Sequence, residues 1–245
     1  MSPRRTLATT WRVLEQLRHD HRTIGLILFV PSVLMLVMRY VFNDATATFS
    51  NLAPMVLGIF PFTVMFVVTS VAMLRERTAG TLERLMTLPM AKLDLLGGYA
   101  LAFAGLTVIQ AAIASTVALG FLGVSVLGGA DRVILVAMLS GLEGMSLGLF
   151  LSAFARSEFQ AVQFLPAFVL PQLLTCGLFV ARDQMATPLQ WFANVMPLTY
   201  IVDAMKQITN HSDWTNDLTR DLAVLAVFII GALLLGAITL RRSQK

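Results

Sequence analysis

The chain has 245 residues, 57% of them hydrophobic and only 13% charged, with mean hydropathy +0.76 and net charge +4. A soluble domain of this length carries about 25% charged residues, so the composition excludes an ordinary water-soluble domain and indicates an integral membrane protein. The single Cys176 excludes an intrachain disulfide, and His19, His21 and His211 stand with no other ligand at zinc spacing, so no metal site is expected.

Residues 1–23 are polar and basic, with Arg4, Arg5, Arg12, Arg18 and Arg22. Leu7, Trp11, Leu14 and Leu17 share about one third of a helix circumference, which suits an amphipathic helix lying in the headgroup interface. Arg18 intrudes on that side, and a plain basic tail is the competing reading. A signal peptide is not expected, since no small-x-small cleavage site follows the apolar run.

Six apolar runs then read as membrane spans: 24–42 with Pro31, 52–74 with Pro54 and Pro61, 95–122, 132–154, 159–180 with Pro166 and Pro171, and 218–240. The expected fold is an all-α integral membrane domain filling 1–245, with no soluble domain and no internal repeat. Residues 181–217 form the longest connection. With the N-terminus inside, thirteen Lys plus Arg lie on the inner side and five outside (Arg39, Arg132, Arg182, Lys206 and Arg220), which places both termini in the cytoplasm. The basic excess therefore serves topology, and no nucleic-acid partner is expected.

Between spans two and three lies a charged segment, 75–94. Gly80 breaks the helix continuing from span two, and Thr81 can cap a new one. Leu82, Leu85 and Met86 then recur at i, i+3 and i+4, with Glu83, Arg84 and Thr87 on the other side, and Pro89 ends the element. A short amphipathic helix with both charge signs suits docking to a protein. A solvated loop whose basic residues only set topology fits the same residues.

The run from Arg75 to Pro89, with Glu76, Gly80, Thr81, Leu82, Glu83 and Pro89, resembles the signature of ATP-binding-cassette type-2 permeases. A second stretch, Asn194 to Lys206 with Pro197-Leu198-Thr199-Tyr200, resembles the segment before the last span in the drug-exporter branch of that family. Val195 and Lys206 depart from its usual pattern. The resemblance implies a transmembrane subunit that pairs with a second permease copy, identical or closely related, and with two copies of a separate ATPase that binds ATP and magnesium. It implies that the N-terminal helix, including Trp11 and Leu14, and the segment with Glu76, Gly80, Thr81, Leu82, Glu83, Arg84 and Pro89 couple to that ATPase. It also implies short re-entrant helices over 187–196 on the outer side, near Trp191, Pro197 and Tyr200; an ordinary outer loop with aromatic anchors is the alternative.

The chain's three lysines, Lys92, Lys206 and Lys245, lack the Gly-rich, Lys-Ser/Thr context of a phosphate loop. No catalytic residue and no bound cofactor are expected. Glu143, in the middle of span four, is costly in a bilayer. It is either a pathway, substrate or proton site, or a neutral carboxyl bonded to Gln110, Gln163 or Gln172. Ser140, Gly144, Gly148 and Ser152 form a small-residue stripe that lets another helix approach closely, within the chain in preference to a dimer seam. The expected function is the permease of an ATP-driven exporter in a bacterial plasma (inner) membrane, moving a drug, lipid or similar hydrophobic or amphipathic substrate. The rival is a proton-coupled secondary transporter built on Glu143.

Overall fold

The computed structural model describes residues 2–81 and 92–239, and among these the chain is helical with no strand. Among the described residues five helices are long and apolar enough to cross a membrane: His21–Val41, Thr46–Thr78, Asp94–Phe121, Ala130–Phe154 and Asn216–Thr239.

The first helix, α1 (Pro3–His19), starts with proline at its first position, where no backbone donor is lost. Its Thr9, Val13 and Leu17 are buried at i, i+4 and i+8. They face α4 (Lys92–Thr116), where Gly97 and Gly98 leave room: a β-carbon at Gly98 would collide with the Thr9 side chain. The Leu7–Trp11–Leu14–Leu17 stripe expected to share one surface is divided. Leu17 and Leu14 pack inward, while Leu7 and Trp11 are 61% and 71% exposed. The close approach at Gly98 fixes the rotation of α1, and Thr9 rather than Leu7 meets the bundle.

Asp20 caps α2 (His21–Val41), accepting from the Thr23 N–H at 3.1 Å and the Thr23 hydroxyl at 2.6 Å. Helix α2 buries Ile27, Pro31, Ser32 and Met35 against the bundle and turns Phe29, Val33, Val37 and Tyr40 outward. The central element is α3 (Thr46–Thr78), 33 residues and about 50 Å long at helical rise. Its Phe49, Leu57, Phe62, Phe66 and Met73 form much of the core. A π-helical turn, Val117–Phe121, extends α4.

Helix α5 (Ala130–Leu151) packs on α3 through the small-residue stripe. The Ser140 hydroxyl donates to the Gly58 carbonyl, the Thr69 hydroxyl approaches the Met145 carbonyl at 3.3 Å, and Ser70 donates to Gly148 at 3.1 Å. A β-carbon at Gly144 would overlap the Phe62 backbone, and one at Gly148 the Thr69 hydroxyl. The stripe is thus an intrachain seam whose small residues let two backbones touch and exchange hydrogen bonds.

The expected fifth span, 159–180, is not one continuous α-helix. It divides into α6 (Glu158–Phe164), a π-helical turn Leu165–Val169, and α7 (Leu170–Thr175). Pro166 and Pro171 each remove a backbone donor and crowd the preceding turn, and the wider π turn takes up the misfit. The long connection is also mostly helical: α8 (Thr187–Val195) and α9 (Pro197–Asn210) precede α10 (Asn216–Thr239). Helix α9 buries Ile201 and Met205 directly against Gly58 of α3.

Candidate functional site

Several charged side chains with long-range partners gather where α1, α3 and α4 meet, at the Gly80 end of the bundle. Continuing α3 beyond its apolar length brings Arg75, Glu76 and Arg77 out in one turn. Gly80 then adopts φ +70°, a left-handed conformation that ends the helix and that glycine reaches without strain. This is the break expected from the sequence.

Glu76 points back under α1. Its Oε1 accepts from Arg12 Nη1 at 3.3 Å, and the two side chains are 12% and 29% exposed. Arg12 also donates through Nη2 to the Tyr99 hydroxyl at 2.5 Å and lies 5.6 Å from the centre of that ring. One guanidinium thus ties α1 to both α3 and α4. A second tie is the Ser2 N–H donating to Asp94 Oδ1 at 2.9 Å. Arg75 forks onto Glu158 at the start of α6, at 2.9 and 3.1 Å, and Arg77 donates to the Ser152 carbonyl at 2.5 Å after α5. The arginine beside it holds the Glu158 carboxyl below the usual carboxylate range.

Of the residues the sequence singles out here, Glu76, Gly80 and Thr81 lie at this junction. Leu82, Glu83, Arg84 and Pro89, with the short helix expected over 81–88, fall outside the described residues. Trp11 faces away from the junction, and Leu14 packs partly within the bundle. Arg12, Tyr99 and Glu158 were not singled out. No spacing rule pairs residues 87 positions apart, though a tyrosine following Gly-Gly near a span end is a candidate for a close helix contact.

The other expected residues lie apart. Glu143 is fully buried, and neither carboxyl oxygen has a hydrogen-bond partner among the described residues. The expected glutamine partners do not reach it. Gln110 is buried with both amide atoms unpartnered, and Gln172 accepts from Leu198 N–H and donates to the Phe168 carbonyl. Gln163 is exposed on α6. The register of α5 is set by its glycines against α3, and this leaves Glu143 buried. At the far end, Trp191 is 71% exposed on α8, Pro197 starts α9, and the Tyr200 hydroxyl donates to the Asn194 carbonyl at 2.7 Å. Arg182 pairs with Asp203 at 2.5 Å and Lys206 donates to the Gly177 carbonyl at 2.7 Å, so this connection is pinned at several points.

The family described as ABC-2 type transporter matches residues 4–209. The chain is 28% identical over 157 residues to ABC transporter G family member 20 of Dictyostelium discoideum, covering 64% of this chain and 22% of that protein. It is 25% identical over 171 residues to the Probable multidrug ABC transporter permease YbhS of Escherichia coli, covering 69% and 45%. It is 30% identical over 149 residues to the Inner membrane transport permease YhhJ of the same species, covering 58% and 38%. The chain matches less than half the length of each of these relatives. With five helices fit to cross a membrane among the described residues and a family match over most of its length, this multi-pass membrane protein belongs to the ABC-2 type transporter family, as a transmembrane permease.

Proposed function

We propose that the chain is the membrane subunit of an ATP-driven exporter of hydrophobic or amphipathic molecules in a bacterial inner membrane, with both termini in the cytoplasm. The observation that carries this reading is the junction at the Gly80 end. There the family-like segment beginning at Glu76 is joined by Arg12 to α1 and by Tyr99 to α4. A push on that segment is delivered to three helices together.

In this reading two ATPase subunits hold ATP and magnesium and dock beneath α1 and the segment around Glu83. Closure of the ATPases displaces Glu76 and its helix. The Arg12 link carries α1 along, and the Arg75–Glu158 link carries the start of α6. A second permease copy completes the path, lined by α2, α3 and the broken α6–α7 element, and the helices α8 and α9 dip in from the outer side. Similarity to a multidrug permease supports the substrate class.

The test is affinity co-purification from the native membrane in mild detergent, with ATP hydrolysis assayed on the eluate. An ATPase partner that is lost, or uncoupled from transport, in Glu83→Lys and Gly80→Pro is the expected result. Normal ATP-dependent transport in both variants would defeat the proposal. Transport that needs no ATPase and collapses with the proton gradient would move the reading to Glu143.

A further inference from the structure

Beneath α1 lies a cavity of about 450 Å³ bounded by α1, α2, α3 and α4, within the range of small-molecule sites. Its deep wall is apolar, formed by Val67, Val68 and Val71 of α3 and Phe103 of α4. Its rim carries Asp20, Arg75 and Glu76. From Arg75 to Val67 the α3 wall descends about 12 Å at helical rise. That is most of one leaflet's hydrocarbon, about 15 Å. A cavity charged at one end and apolar over such a depth matches a molecule with a polar head and one slender apolar body.

The rim charges select the head. Arg75 is taken up by its fork onto Glu158, and Glu76 by Arg12. The Asp20 carboxylate accepts from Thr23 and forms no ion pair among the described residues. Those Thr23 hydrogen bonds hold its carboxyl below the usual carboxylate range, so it is ionised at neutral pH. Arg18 and Arg22, exposed on either side of it, do not line the cavity. Arg75 also acts on Asp20 through space, but it is bonded to Glu158; with Arg12 and Arg75 set against Glu76, Glu158 and Asp20, the mouth keeps one net negative charge.

We propose that this cavity binds an amphipathic amine drawn from the adjoining membrane leaflet, with its protonated nitrogen on the Asp20 carboxylate and its apolar body along Val67, Val68, Val71 and Phe103. Occupancy of this kind needs no ATPase and does not rest on the direction of transport. The shared chemistry, an N–H cation on a hydrocarbon, is offered both by free alkylamines and by the headgroup of phosphatidylethanolamine.

The probe is dodecylamine carrying a diazirine on its chain, photolysed with the full chain in phosphatidylcholine nanodiscs and mapped by peptide mass spectrometry. Saturable labelling is expected on the peptides bearing Val67–Val71 and Phe103. Asp20→Asn keeps a good helix cap and removes the charge, and it should weaken labelling about three- to tenfold. Val68→Trp fills the cavity and should abolish labelling. The matching dodecanol probe should be indifferent to Asp20→Asn. Competition by added phosphatidylethanolamine would identify the lipid amine as occupant, and its absence the free amine. Labelling spread over the outward faces of α2 and α10 and unchanged in both variants would overturn the proposal.

Discussion

Removing the Arg12 guanidinium should release α1 from the bundle without unfolding it. The pair with Glu76 is neither surface nor core, since the two side chains are 29% and 12% exposed. Exposed pairs contribute about 0.2–1 kcal/mol, while removing one member of a fully buried pair costs about 3–5 kcal/mol. Arg12 also donates to Tyr99 and sits over its ring, a geometry that adds about 0.5–1 kcal/mol. We therefore expect Arg12→Met to lose about 2–3 kcal/mol and the coupling between Arg12 and Glu76 to be about 1–2 kcal/mol. The assay is a double-mutant cycle with Arg12→Met, Glu76→Gln and the pair, unfolded by dodecyl sulfate in mixed micelles and followed by circular dichroism. If the single losses add to the double loss within about 0.3 kcal/mol, the two residues do not interact and the junction is not a mechanical tie.

Three further outcomes follow from the geometry. Gly144→Ala should cost about 1–3 kcal/mol or more in the same assay, because its β-carbon overlaps the Phe62 backbone; Gly231→Ala, with open space around it, should be neutral or slightly stabilising. Glu143→Leu should raise stability by about 1 kcal/mol or more, because it removes a buried carboxyl with no partner; a loss would show that this carboxyl has a working role. Asp20 and Glu158 both have lowered folded-state pKa values, through Thr23 and Arg75 respectively. Their contribution is complete above the unfolded values, about 3.9 and 4.3, and is lost as pH falls through the lower folded values. Asp20→Asn and Glu158→Gln should therefore leave the unfolding midpoint's pH profile unchanged between pH 6 and 8 and flatten its acid limb.

The architecture was legible where the signal is local. Apolar runs of about 20 residues fix the long helices, Gly80 marks a break that needs positive φ, and the small-residue stripe of α5 predicts a tight neighbour. It was not legible where three-dimensional placement decides. Hydropathy cannot tell a straight span from the proline-broken α6–α7, because the apolar content is the same in both. Helical periodicity proposed one apolar face for α1, but Gly98 on a different helix chose another. The Arg12–Tyr99 contact joins residues whose own neighbourhoods give no hint of each other. Glu143 was visible as an anomaly, yet its lack of a partner depends on the register of three helices.

The two kinds of contact on α3 divide its labour. Along its middle the seam with α5 is backbone against backbone, with hydroxyls donating to carbonyls across it. Such a seam has little slack, because even a β-carbon at Gly144 or Gly148 would overlap α3. At the Gly80 end the contacts are instead long side chains reaching across to α1, α4 and α6. Arginines of this length tolerate displacement while keeping their pairs. A force applied beyond Gly80 therefore meets a stiff two-helix unit, α3 with α5, tied by side chains to α1, itself closely packed on α4 at Gly98, and to the start of α6. The element expected to move relative to that unit is the broken α6–α7 beyond its tie at Glu158, while α3 and α5 should keep a constant separation. A spin label on the exposed residue Leu174 of α7, paired with one on α3, would report the motion, and a label pair across the α3–α5 seam should report none.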